Sequence, residues 1–165
     1  MRIERIRVAR VPLVLVSPLR TSDGAHQSRS AVLVEITDSD GFVGWGENVA
    51  TSGVAYVGEN AEASFAAMTQ LLIPELVQHD VAVADLFADG WWGIEGHHCA
   101  KHALESALWD VHARRQGKSL AEVLGAVETE IEVGVVVGIH DSIEDVVAEV
   151  MMRVEQGYAR VKVKI

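Results

Sequence analysis

Arg160-Val161-Lys162-Val163-Lys164-Ile165 are the last six of 165 residues, and they alternate two lysines against apolar side chains. On an extended chain successive side chains project to opposite faces, so Lys162 and Lys164 share one face and Val161, Val163 and Ile165 the other. Adjacent ammonium groups disfavour one another's charge and burial disfavours both, which moves an amine toward base chemistry. The same alternation suits a solvated edge strand, where lysines deter further pairing. The pattern alone leaves both readings open.

The residues before it narrow the choice. Ile143, Val146, Val147, Val150, Met151 and Val154 form one helical stripe, with Ser142 as N-cap and Gly157 as C-cap. Glu130 to Ile139 is a near-continuous apolar run (Ile131, Val133, Val135, Val136, Val137), the pattern of a strand covered on both faces. Strand, helix and strand with short connections make a βαβ unit, with parallel pairing and a right-handed crossover. This places a domain boundary near residue 126, giving domains 1–125 and 126–165. Two parallel strands cannot bury both faces, and an eight-stranded barrel takes about 250 residues. The expectation is therefore an incomplete TIM-type (β/α) barrel, truncated after its second strand.

Upstream, the reading is α+β. Residues 2–16 read as a strand with a break near Pro12, and Ser17 to Ser28 as a mobile polar loop containing Asp23-Gly24. Ala31 to Thr37, the turn Asp38-Ser39-Asp40-Gly41 and Phe42 to Glu47 form a hairpin, which completes a three-stranded antiparallel meander. Ala61, Phe65, Met68 and Leu72 lie on one helical face, with Pro74 as terminator. A shorter helix is expected from Val81 to Ala88, before Gly90. A long helix starts near Gly96, carries Ala100, Ala103, Leu104, Ala107, Leu108 and Val111 on one stripe, can pair Asp110 with Arg114, and ends at Gly117. Ser119 to Leu124 is a further short helix.

Composition excludes several classes. The chain is 49% hydrophobic and 23% charged, which is globular, and its net charge of −10 argues against nucleic acid as a partner. The apolar run from Val11 to Val16 is short and holds Pro12, which argues against a signal peptide. No stretch reaches membrane-spanning length, so no membrane partner is expected. The single cysteine, Cys99, suits a reducing cytoplasm, and a structural thiol fits it better than a nucleophile.

Three other patterns carry two readings each. His98 and His102 stand at i, i+4, a zinc-compatible spacing, but no third ligand is evident and a polar helix face fits better. Gly41, Gly44 and Gly46 superficially resemble a phosphate loop, yet they fall inside a hairpin, where close packing is the simpler role. Trp91-Trp92 reads as a hydrophobic anchor between domains sooner than as a ligand platform.

Four stretches in order resemble the enolase superfamily, in its muconate-lactonizing-enzyme subgroup. They are Gly44-Trp45-Gly46-Glu47; Gly96-His97-His98 through Ala100-Lys101, Ala103-Leu104-Glu105 and Ala107-Leu108-Trp109-Asp110; Val133-Gly134-Val135 with Gly138-Ile139; and Gly157-Tyr158 leading into Lys162-Val163-Lys164. Within the subgroup the chain looks most like the o-succinylbenzoate synthase and N-acylamino acid racemase branch. The Pro18 to Arg29 segment and the Gly96-His97 helix start point that way.

The resemblance implies an α+β capping domain before a modified barrel whose second strand carries Lys-x-Lys. It implies a catalytic base or acid at Lys164, with Lys162 as its partner lysine. It also implies a substrate lid around Asp23, Gly24, His26 and Tyr56. Val136 stands where the branch often has serine. The implied reaction removes the α-proton of a small-molecule carboxylate, followed by dehydration (in menaquinone biosynthesis) or racemisation. Muconate cycloisomerase and dipeptide epimerase are the related alternatives. The implied Mg²⁺ ligands lie beyond residue 165, so no metal ligand is expected in this chain, and the chain alone is expected to be inactive. The parent is expected to be a cytoplasmic homo-oligomer. A different class, a non-catalytic association module with the lysine strand as a pairing edge, remains beside it. On either reading, residues 126–165 expose a strand edge and are expected to be the least protected part of an aggregation-prone chain.

Overall fold

The computed structural model describes residues 1–21, 24–50, 58–77, 80–81 and 93–165. It divides into two compact units: Met1–Leu13 with Arg29–Ala126, and Val14–Ser28 with Val127–Ile165. Of the helix expected from Val81 to Ala88, Val81 is described and is not helical, while the rest of it, Gly90 and the Trp91-Trp92 pair lie outside the described residues.

One sheet has three strands in the order β1 (Ile3–Thr21), β2 (Gly24–Asp38), β3 (Val43–Asn48), and the first unit holds β3 with β1 up to Leu13 and β2 from Arg29. β2 and β3 pair antiparallel, Ile36 opposite Gly44 and Val34 opposite Gly46. The Asp38 carboxylate shapes the turn between them, accepting from the amides of Asp40 (3.0 Å) and Phe42 (2.9 Å), while Gly41 takes φ +85°. Alternation puts Val32, Val34 and Ile36 on the inner face, each at most 1% exposed.

Helical structure covers that face. α1 (Ala61–Ala67) runs through a π-helical turn (Met68–Leu72) into α2 (Ile73–Leu76). Pro74 therefore does not end the helix, as its sequence position suggested. It falls in the first turn of α2, directly after the π-helical turn. α3 (His98–Arg115) is the central element. Ala100, Ala103, Leu104, Ala107, Leu108 and Val111 are all fully buried, and with the β2 valines, Met68 and Leu72 they form the core.

α3 lies against the backbone of β3. A Cβ placed on Gly46 would sit 1.9 Å from the Ala103 carbonyl oxygen, and one on Gly44 would sit 2.3 Å from that of Ala107. The glycine spacing is thus a packing device, as the hairpin context implied. Asp110 bridges the two elements, accepting from the Trp45 amide at 2.9 Å and from Arg114 at 3.0 Å. α4 (Leu120–Val123) follows, with a Ser119/Glu122 capping box.

The second unit holds β4 (Val135–Val137), α5 (Ile143–Glu155) and β5 (Val161–Val163), with β4 and β5 parallel. The βαβ connection is as expected, but the strands are shorter. The run from Glu130 forms strand only at Val135–Val137, and Ile131 and Val133 are 80% and 62% exposed. Among the described residues that segment has no ladder partner, and it stays largely exposed.

The expected loop from Ser17 to Ser28 is also corrected. β1 runs without a break through Pro12 to Thr21, and β2 starts at Gly24. The segment is mostly exposed strand. Ladder pairing holds it in place of burial, which is why no hydrophobic alternation announced it.

Candidate functional site

The lysine pair sits on a defined face of the second unit. Val135 pairs with Val161, Val136 with Lys162 and Val137 with Val163. The Val135 amide donates to the Arg160 carbonyl at 2.9 Å, and the Lys164 amide donates to the Val137 carbonyl at 3.0 Å. The pleat therefore groups Val136, Lys162 and Lys164 on one face and Val135, Val137, Val161 and Val163 on the other. Val137 is fully buried, whereas Val136 on the lysine face is 48% exposed. Lys162 is exposed and Lys164 half-buried. Among the described residues no carboxylate pairs with either ammonium group. The arrangement is a short parallel ribbon with two amines on an open face beside an isopropyl group.

Gly24 and His26 lie on β2, in the exposed outer part of the hairpin, rather than in a loop. Asp23 and Tyr56 lie outside the described residues. The hairpin's outer part, 14–28, belongs to the same compact unit as β4, α5 and β5. One tie between them is an ion pair of Arg20 with Asp141 at 2.6 Å, which no local pattern in the sequence marks. The structure thus brings Val136, Lys162 and Lys164 onto one face, and puts Gly24 and His26 in the same unit on a separate element.

On the first unit, Ile94, Glu95, Gly96, His98, Lys101, His102 and Glu105 line an open hollow. His102 Nε2 lies 3.5 Å from the Ser106 hydroxyl. Among the described residues no group of three or more His, Cys, Asp or Glu side chains could hold a metal ion, so the residues present do not fit the Mg²⁺ that the resemblance implies.

The start of α3 shows a residue that sequence reasoning missed. His97 takes a left-handed conformation (φ 54°) and its side chain caps nothing. Glu59 supplies the cap, its carboxylate accepting from the amides of His98 (2.6 Å) and Cys99 (2.8 Å). Burial pushes the Glu59 carboxyl up, but the two amides and the Cys99 thiol outweigh it and hold it below its ordinary 4.5. Burial, followed by the Glu59 charge, pushes the Cys99 thiol above its ordinary 9.0, which favours an inert thiol. The available signal was a helix start with no Ser, Thr, Asp or Asn at the cap position.

In the second unit Glu149 accepts from Arg153 at 2.9 Å and lies 2.5 Å from His140 Nε2. These contacts, Arg153 first, hold its carboxyl below the usual range. Among the described residues no helix is long and apolar enough to cross a membrane.

Comparison with known proteins gives these elements a family. The N-terminal domain of mandelate racemase / muconate lactonizing enzyme matches residues 3–125. An o-succinylbenzoate synthase from Geobacillus kaustophilus is 37% identical over 167 residues, covering 99% of this chain and 44% of that protein. An N-succinylamino acid racemase from Amycolatopsis is 33% identical over 165 residues, covering 100% of this chain and 45% of its own length. A crystal structure of an enolase-superfamily member from Listeria innocua superposes with a TM-score of 0.94 at 31% identity, over 100% of this chain and 44% of that one. The chain spans less than half the length of these relatives. The sheet, the buried α3 stripe, the β3 glycines and this match together place the chain in the mandelate racemase / muconate lactonizing enzyme family of the enolase superfamily.

Proposed function

We propose that this chain is the N-terminal part of an enzyme resembling o-succinylbenzoate synthase, with residues 1–125 as its capping domain and 126–165 as the opening βαβ unit of a barrel. Lys164 would serve as base or acid at the α-carbon of a small carboxylate. Lys162 would attract the substrate's negative charge. The observation that carries this reading is the common face of Val136, Lys162 and Lys164 on paired strands. The shared unit of that face with the outer hairpin supports Gly24 and His26 as substrate-side residues, with Asp23 and Tyr56 as further candidates.

In this reading Mg²⁺ belongs to the whole enzyme and takes its ligands from outside this chain. The enzyme works as a cytoplasmic homo-oligomer. Racemisation is the second reading, favoured by the likeness to the Amycolatopsis racemase. Both begin with the same proton removal and differ in whether water is then lost or a proton is returned.

The experiment is a covalent chimera. This chain replaces the matching portion of the Geobacillus kaustophilus protein, and the product is assayed for dehydration to o-succinylbenzoate and for racemisation of N-succinylamino acids. Dehydration above the level of a Lys164→Ala chimera is the expected result. A folded chimera that performs neither reaction would sink the proposal.

A further inference from the structure

We propose that His98 and His102 form a two-ligand site for a divalent transition-metal ion on the exposed side of α3, with water filling the ion's remaining positions. The i, i+4 spacing of this pair suits either a metal site or a polar helix face. Three features of the structure favour the metal, and none of them depends on the lysine face or on the activity proposed above.

The first is placement. Residues four apart on a helix stand one turn above the other, with Cβ atoms about 5–6 Å apart. His98 and His102 occupy the first two turns of α3, both are exposed, and both line the hollow of about 310 Å³. Among the described residues the His98 ring has no hydrogen-bond partner. His102 Nε2 has only the Ser106 hydroxyl, at 3.5 Å, which is long for a hydrogen bond. Each ring therefore has a nitrogen open to an ion.

The second is charge. Glu95 and Glu105 line the same hollow, and among the described residues neither takes part in an ion pair. The one ammonium group there, on Lys101, donates to the Ile94 carbonyl. Two carboxylates against one ammonium leave the hollow negative, on a chain whose net charge is −10, so it favours a cation.

The third is donor type. Imidazole suits Zn²⁺, Ni²⁺ and Cu²⁺, whereas Mg²⁺ takes oxygen ligands. Among the described residues no group of three or more His, Cys, Asp or Glu side chains could hold an ion, so the protein supplies two ligands and the ion exchanges readily. An ion bridging these two rings would clasp the turn where α3 starts. That start carries the left-handed His97 and takes its cap from Glu59, 39 residues before His98.

The test titrates the intact, untagged chain with Zn²⁺, which has no redox chemistry to disturb the Cys99 thiol. Calorimetry follows binding, and circular dichroism checks that each variant folds. One equivalent of Zn²⁺ should bind, persist in excess Mg²⁺, and slow amide exchange in the first turns of α3. His98→Ala and His102→Ala should each weaken binding on the order of tenfold or more, since each removes half of the protein's ligands. His97→Ala, one residue away, and His112→Ala, farther along α3, should leave it unchanged. Absence of Zn²⁺ binding, binding displaced by Mg²⁺, or binding that keeps its affinity in folded His98→Ala or His102→Ala would each overturn the assignment. Loss of binding in folded His97→Ala would overturn it as well.

Discussion

Arg115, at the C-terminal end of α3, bonds the fully buried Asp38 carboxylate at 2.5 Å across a separation of 77 residues. The same guanidinium nitrogen reaches Asp40 at 2.6 Å, so one arginine ties the long helix to the β2–β3 turn. Burial pushes the Asp38 carboxyl up. The Arg115 hydrogen bond, the Phe42 and Asp40 amides and the Arg115 charge outweigh it and hold it below its ordinary 3.8.

Asp38→Asn keeps the shape and removes the charge. It should destabilise by about 1–3 kcal/mol near neutral pH, the cost of weakening charge-assisted bonds to a buried group. The sign follows from the lowered value. Wild-type stability from this carboxylate is fully present above the unfolded value and is lost as pH falls through the folded one. Urea unfolding of both proteins from neutral pH downward should therefore show their difference shrinking below about pH 4. A gap that is constant or widens in acid would contradict this.

Gly46→Ala tests the contact between β3 and α3. The new methyl group would meet the Ala103 carbonyl at 1.9 Å, and backbone atoms cannot swing aside. The cost should reach or exceed the ~1–3 kcal/mol of ordinary overpacking. Gly138→Ala is the control, since no atom lies within 4 Å of its added Cβ and its φ is not in the left-handed region. Thermal unfolding that is equal in the two variants would show that the sheet and helix can separate freely.

The elements that were readable in the sequence are those set by burial. The α3 stripe from Ala100 to Val111 repeats at helical spacing because one face is sealed by the sheet, and each of these residues is fully buried. Gly44 and Gly46 were readable for the same reason. The outer hairpin was not, because its residues answer to backbone pairing and remain exposed. The extent of β4 was overread because Ile131 and Val133 carry strand-forming side chains yet stay largely exposed. Of the candidate site, the shared face of Lys162 and Lys164 follows from alternation alone. Its pairing with Val136 needs the register of two strands separated by a helix, which no local pattern specifies. Glu59 and Arg115 act over tens of residues, beyond the reach of any cap or i,i+4 rule.

Glu59→Gln should act on helix and thiol together. Losing the carboxylate at the α3 N-terminus should cost about 0.5–2 kcal/mol, as for loss of other caps, with faster exchange of the His98 and Cys99 amides. Burial alone would then hold the Cys99 thiol up, without the Glu59 charge that now adds to it. Alkylation by iodoacetamide at neutral pH should therefore be faster in the variant than in the wild type. Unchanged alkylation alongside the faster amide exchange would show that the charge of Glu59 does not govern the thiol.

The strictest test of the lysine face is made in the covalent chimera. Lys164 is half-buried beside β4, while Lys162 is exposed on the same face, so the inner amine is the better placed to meet a reacting carbon. Lys164→Ala should remove at least the ~10²–10⁴-fold typical of general acid–base catalysis. Folding should change little, because the side chain contributes no ion pair among the described residues and the Lys164 amide keeps its bond to Val137. Lys164→Arg separates charge from proton transfer. A guanidinium preserves the positive field but does not deprotonate, so turnover should fall almost as far as with alanine. Lys162→Arg should be the milder change if Lys162 acts through its charge. Proton exchange at the substrate α-carbon, followed by NMR in deuterated water, reads the first step directly, whichever product forms. A Lys164→Arg chimera that exchanged that proton at the parent rate would reduce Lys164 to an electrostatic role.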